Sequence, residues 1–199
     1  KRRWPLLHGV RVGCEFFAVL VGIDIALVKA VAAGGCPRCD GPLHRGDHAR
    51  KPRGALIALA GESFKTRFNL CCGWCRKRCM PPSVRFLGQR VYLEAVVFLA
   101  CVWALAAGDL DAAGVPRRTV RRWLSWWTSV LPMSPTWQQV RARFAPPPPD
   151  ETALPLSLCD RLQKELGPLA EKIVEKVALF LAPMTTRSCS DASRFVRLD

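Results

Sequence analysis

The chain has 199 residues, half of them hydrophobic, and a net charge of +14. That is enough for one domain or two small ones with a modest core. The charge is uneven, at +3 over residues 1–35, +12 over 36–149 and −1 over 150–199. A solubility coating would be spread evenly and is excluded as the source; cations gathered in the middle of the chain point to a phosphate-bearing partner.

The chain begins at Lys1 without an initiator Met, which suggests a fragment or a trimmed product. Lys1-Arg2-Arg3, the apolar run Phe16–Ile23 and the small residues near Ala30 have the order of a secretory signal. Asp24 and Lys29 interrupt the pattern, and Phe16–Ile23 is far short of the roughly 20 residues of a membrane span. Residues 1–35 are therefore expected to be an apolar helical extension, or a segment foreign to the rest of the fold. A membrane partner is not expected.

The next stretch carries the strongest pattern. Cys36-Pro37-Arg38-Cys39-Asp40-Gly41 opens it, and Cys71-Cys72-Gly73-Trp74-Cys75-Arg76-Lys77-Arg78-Cys79 closes it. A Cys-x-x-Cys turn aims two thiolates at one point, and two such turns supply the four soft ligands of a closed structural zinc site. Pro37 stiffens the first turn, and Gly41 and Gly73 are expected to permit its backbone geometry. The expected ligands are Cys36, Cys39, Cys72 and Cys75, with Cys71 and Cys79 as alternates for the second pair. His44 and His48 offer a different, local closure with Cys36 and Cys39, but that leaves the second cluster without a purpose. Disulfides are the other competing use of these cysteines. The scattered Cys14, Cys101, Cys159 and Cys189 read as small hydrophobes of a reducing compartment. Residues 36–86 are thus expected to form a small β zinc ribbon.

Within that ribbon, residues 44–54 read as an exposed basic loop. Phe64–Leu70 alternates apolar with polar residues and is expected to be the strand entering the second knuckle. Arg76, Lys77 and Arg78 sit on the metal-clamped turn, where three cations on a rigid support suit phosphate contact.

A helical region, 87–145, follows. Val91–Ala107 is apolar on most sides and reads as a buried core helix. A short helix through Ala112 and Ala113 is expected to stop at Gly114, with Pro116 in the first position of the next helix. On that helix Val120, Trp123, Leu124, Trp127 and Leu131 share one face, and Arg117, Arg118, Arg121 and Arg122 share the other. This is the layout of a helix-turn-helix, whose second helix offers its early polar residues to the major groove. Arginine can bond guanine edges as well as phosphates. The competing reading is a solvated surface helix, but no acidic residue lies between Val115 and Pro149 to balance the arginines.

Ser134 and Pro135 are expected to cap and begin a helix over Thr136–Phe144. Pro146–Pro149 reads as a stiff linker, residues 146–155. Leu156–Leu166 and Leu169–Leu181 then form a helical hairpin broken at Gly167-Pro168, within a C-terminal region 156–199. The hairpin is neutral and amphipathic, so residues 156–182 are expected to serve packing, self-association or contact with a transposase.

No Gly-rich phosphate loop, convergent carboxylates or Ser/His arrangement is recognisable, so the chain is expected not to be an enzyme. Residues 36–45, 81–88 (Pro81-Pro82-Ser83-Val84-Arg85-Phe86-Leu87-Gly88) and 114–120 (Gly114-Val115-Pro116-Arg117-Arg118-Thr119-Val120) resemble bacterial mobile-element proteins, transposase-like, with a zinc ribbon followed by a helix-turn-helix. The resemblance spans roughly residues 36–182. It implies binding of double-stranded DNA at element ends through Arg117, Arg118, Arg121 and Arg122, structural zinc, and a cytoplasmic, nucleoid-associated location. Residues 1–35 have no counterpart in it, and a transposase catalytic domain is missing. The competing classes are a zinc-stapled protein-interaction adaptor and a membrane-associated protein.

Overall fold

Helix α1, Cys14–Ala33, buries Phe16, Phe17, Leu20, Asp24, Val28 and Val31, a stripe at spacings of mostly three and four. The computed structural model describes residues 14–52, 61–86, 94–107, 115–142, 151–167 and 169–185. They fall into two compact units, one built from Gly13–Arg53, Ile57–Glu94 and Ala178–Asp199, the other chiefly from Ala95–Val177.

In the first unit α1 runs directly into the cysteine region. It stops at Gly34 and Gly35, where Gly35 takes the left-handed conformation (φ +74) that a side chain disfavours. Three short strands follow it in one antiparallel sheet of order β1-β4-β5: β1 (Leu43–Arg45), β4 (Leu70–Cys72) and β5 (Arg78–Cys79). Leu43 lies opposite Cys72, and Leu70 opposite both Arg45 and Cys79. A two-stranded ladder pairs β2 (His48–Ala49) with β3 (Thr66–Arg67). Val28 and Val31 of α1 pack on Phe68, Leu70 and Cys79, which fixes the sheet to the helix.

The expected continuous strand over Phe64–Leu70 is not formed. A 3-10 turn covers Glu62–Lys65, β3 occupies only Thr66–Arg67, and β4 starts at Leu70. The alternation fails at Arg67, which is fully buried and donates through Nη2 to the Pro81 carbonyl at 2.6 Å. A charged residue counted as outward-facing is in fact a core donor.

Neither is α1 a segment foreign to the fold. Asp24, at its middle, is fully buried. Ser83 Oγ donates to Asp24 Oδ2 at 2.6 Å, the Val84 N–H to Oδ1 at 2.7 Å, and Arg85 Nε to Oδ2 at 2.7 Å. Arg85 also donates to the Ser63 carbonyl at 2.7 Å, and its guanidinium lies 4.2 Å from the Phe68 ring centroid. The N–H of Ser83 donates to Thr185 Oγ1 at 2.9 Å, so the end of the described chain closes on the same network. By length and composition α1, at 20 residues, could cross a membrane, a length that the run Phe16–Ile23 alone does not reveal.

The second unit is helical. Helix α2, Glu94–Ala107, buries Ala95 through Val102 without a break, as an all-round apolar helix must. Helix α3, Arg117–Ser125, begins after Pro116 and opens into a π-helical turn over Trp126–Val130, where the Leu131 N–H reaches the Trp126 carbonyl at 2.9 Å. The wider turn lies between Trp123 and Leu131, and both of these and Trp127 are buried. Phe98 of α2 meets Trp127 with ring centroids 6.1 Å apart. Helix α4, Pro135–Arg141, is capped by Ser134, whose Oγ accepts from the Trp137 N–H at 3.1 Å. Helix α5 (Leu156–Leu166) follows and, after Gly167 (φ +74), helix α6 (Ala170–Leu181), whose residues from Ala178 on belong to the first unit. Their apolar residues, including Leu158, Leu162, Ile173 and Val177, are buried, while Glu171, Lys172 and Lys176 face solvent. The expected first helix of the helix-turn-helix, through Ala112–Ala113, and the proline run 146–149 lie outside the described residues.

Candidate metal centre and basic surfaces

Four cysteines, Cys36, Cys39, Cys72 and Cys75, come together with all their sulfurs within 4.8 Å of one another. The Cys36–Cys75 pair is 3.7 Å apart and the Cys39–Cys72 pair 3.5 Å. Four sulfurs at 2.3 Å from a tetrahedral zinc ion stand about 3.8 Å apart, so this cluster fits such an ion. Sulfurs 3.5 and 3.7 Å apart are not bonded to one another. Disulfides, the competing reading, are not formed by them.

The two turns that carry the ligands are built alike. In each, the N–H of the first cysteine bonds the carbonyl five residues on: Cys36 to Gly41 at 2.9 Å, Cys72 to Lys77 at 3.0 Å. In each, the residue right after the second cysteine is left-handed, Asp40 at φ +56 and Arg76 at φ +58. The Gly73 N–H then bonds the Pro42 carbonyl at 2.9 Å, joining the two turns. The left-handed positions are thus held by non-glycine residues, while Gly41 and Gly73, expected to permit the turn geometry, allow close approach. A methyl at Gly41 would sit 2.8–2.9 Å from Cγ, Cδ2 and Cε3 of Trp74, and one at Gly73 would meet His44 Nε2 at 3.0 Å.

Other hydrogen bonds, from backbone N–H groups of the turns to sulfur, tune the thiols. Burial opposes ionisation of Cys72, but the N–H groups of Cys75 and Trp74 and the Cys39 thiol outweigh it and draw the pKa down to about 6. The Trp74 N–H lies 3.4 Å from Cys72 Sγ. At Cys39 the Gly41 N–H favours the thiolate, yet burial and the thiols of Cys72, Cys75 and Cys36 push the pKa up to about 11. A bound cation would replace the thiol protons.

The remaining candidates fall elsewhere. Cys71 points its sulfur toward the Arg76 carbonyl, 3.7 Å away, and Cys79 is buried in the apolar cluster with Val28 and Leu70. His44 covers Gly73, and His48 lies in β2 opposite Arg67. Burial, reinforced by Arg50, Arg67 and Arg78, holds the His48 pKa below its ordinary value. Neither histidine joins the sulfur cluster.

Two basic surfaces are exposed. Arg76, Lys77 and Arg78 project from the second knuckle of the first unit. On α3 in the second unit, Arg117, Arg118, Arg121 and Arg122 are exposed and Val120, Trp123 and Trp127 are buried; Leu124 is half-buried at the border. Arg141 on α4 is committed differently, donating to Glu151 Oε1 at 2.7 Å, an oxygen shared with Trp137 Nε1 at 2.9 Å. Sequence reasoning missed the Asp24–Arg85 pair and the placement of Trp74. The only signal for the latter was an aromatic residue inside a Cys-x-x-Cys turn. No protein-family profile, curated protein or solved structure matches the chain.

Proposed function

We propose that the chain is a DNA-binding protein of a mobile element, transposase-like but without catalytic activity, in which a zinc ribbon rigidifies one basic surface and the helix from Arg117 enters a groove of duplex DNA as the second helix of a helix-turn-helix. The observation that carries the reading is the division of α3, with four exposed arginines along one side and Val120, Trp123 and Trp127 locked in the core on the other. A helix held by three buried anchors presents its cations with little backbone freedom to lose on binding. Cys36, Cys39, Cys72 and Cys75 would hold zinc, which would supply folding energy and no activated water. The knuckle cations Arg76, Lys77 and Arg78 add backbone-phosphate contacts. Self-association or a transposase contact through 156–182 would use only the outer, charged faces of α5 and α6, because their apolar faces are buried.

The test is duplex binding over a salt series for the wild type and for Arg117/Arg118/Arg121/Arg122→Ala. Each phosphate that is no longer neutralised should make the log–log salt slope shallower by about 0.9. The expected variant binds at least tenfold more weakly at low salt, with a slope flatter by about 2–4. Equal binding by the two proteins would remove α3 from the interface. Tight binding of a protein partner, with no affinity for duplex, would leave the adaptor role.

A further inference from the structure

Trp74 is 69% exposed, although tryptophan is normally among the more buried residues. Its exposure is built into the knuckle. A Cβ placed on Gly41 would lie almost equally close to Cγ, Cδ2 and Cε3, so Gly41 lies against the indole on the side where Cγ and Cε3 flank Cδ2. Gly41 is itself buried. Gly41 therefore braces the indole at one side, and most of the ring surface stays open to solvent. The Trp74 N–H donates to Cys72 Sγ, which ties the backbone beneath the ring to the sulfur cluster.

The surroundings are cationic. The two knuckles carry Arg38, Arg76, Lys77 and Arg78, all exposed, against the single carboxylate of Asp40. The nearby Asp47 is engaged by Arg45, whose Nε donates to Oδ1 at 3.0 Å. A flat π face held rigid among cations matches a flat base flanked by phosphates. A duplex hides its base faces in the stack, whereas an unpaired base offers one. An acidic peptide would satisfy the cations but leave the indole face without a flat partner.

We propose that Trp74 is a stacking shelf for an unpaired nucleobase, with Arg38, Arg76, Lys77 and Arg78 holding the flanking phosphates, so that the metal knuckle binds single-stranded nucleic acid. This rests on the nucleic-acid reading above but assigns the knuckle a ligand distinct from the duplex assigned to α3.

The experiment uses the full, zinc-loaded chain and labelled oligomers: dT12, rU12 and a random duplex. The variants are Trp74→Ala, Trp74→Leu, which keeps an apolar contact on Gly41 without a π face, and Trp74→Phe. Stacking on one aromatic ring should be worth roughly tenfold in affinity. Both Trp74→Ala and Trp74→Leu should lose about that factor for the single strands and change less than twofold for the duplex. Trp74→Phe should retain most of the binding, and zinc content should be unchanged in all of them. Preference for dT12 or for rU12 in the wild type, abolished with the ring, would support the shelf and identify its source. An equal loss for single strands and duplex, no loss for either, or a wild type that binds duplex alone would overturn the shelf; the last of these leaves the α3 reading standing. Binding of single strands alone, abolished with the ring, would keep the shelf and remove the duplex reading. Binding of a polyglutamate peptide as tightly as dT12 would make this a protein surface and overturn the proposal.

Discussion

Cys39 and Cys79 mark the limits of the four-cysteine cluster, Cys39 lying within it and Cys79 outside. Cys39→Ser should abolish stoichiometric zinc binding and unfold the knuckles, because binding and folding of such sites are one free energy. Cys79→Ser should keep its zinc and lose about 1–3 kcal/mol of stability, since it puts a hydroxyl among Val28, Val31, Phe68 and Leu70. Metal content and denaturant midpoints, measured on both variants, separate the two outcomes. Gly41→Ala should cost about 1–3 kcal/mol by driving a methyl into the Trp74 ring, read as a lowered midpoint at unchanged zinc content. Much of this centre was legible in the sequence: two Cys-x-x-Cys turns name their chemistry. Spacing alone left Cys71 and Cys79 open as alternates, because it does not say which of two adjacent cysteines faces the cluster. That is decided by strand register, with Cys72 opposite Leu43 and Cys71 opposite His44. The left-handed residues were not legible either; Asp40 and Arg76 take positions for which glycine is the usual choice.

At the scale of elements, α1 depends on one buried ion pair. Asp24→Ala leaves Arg85 charged, fully buried and without its carboxylate, which should cost about 3–5 kcal/mol in urea unfolding. A loss below about 0.5 kcal/mol would show that α1 contributes no stability through Asp24. Helix α4 carries a milder, pH-dependent tie. Trp137 and then Arg141 hold the Glu151 carboxylate below its ordinary range, overcoming a small opposing burial. A carboxyl group depressed on folding stabilises above its unfolded pKa of 4.5 and loses that contribution as pH falls through the lower folded value. Stability should therefore drop below pH 4.5 by under about 1 kcal/mol on this account, given the exposure of the pair, and Glu151→Gln should flatten that part of the profile. The helices with periodic apolar faces and explicit ends were readable: α3 after Pro116, α4 under the Ser134 cap, α5 and α6 around Gly167. What local pattern could not show is a charge that belongs to the core. Asp24 read as an interruption because its partner Arg85 is 61 residues away, and Arg67 read as a solvent-facing strand residue because its acceptor is the carbonyl of Pro81.

At the scale of the whole molecule, two exposed clusters of cations among the described residues fall in different units, the knuckle with Arg76, Lys77 and Arg78 in one and the arginine side of α3 in the other. Both are held by structure that leaves them little freedom, by a sulfur cluster in one case and by buried tryptophans in the other. The uneven charge was plain from composition; that it divides between separate compact units was not, because the first unit draws its residues from distant parts of the chain. We propose that this protein binds duplex DNA through those cations on a metal-clamped fold. The most direct test is binding of the purified full chain to random duplex across a salt series, with zinc quantified on the same samples. About one zinc per chain is expected, with an affinity falling on a log–log slope of roughly −4 to −6, as several phosphate contacts require. A zinc-loaded protein that fails to bind duplex at low salt, or binds it without salt dependence, would contradict it.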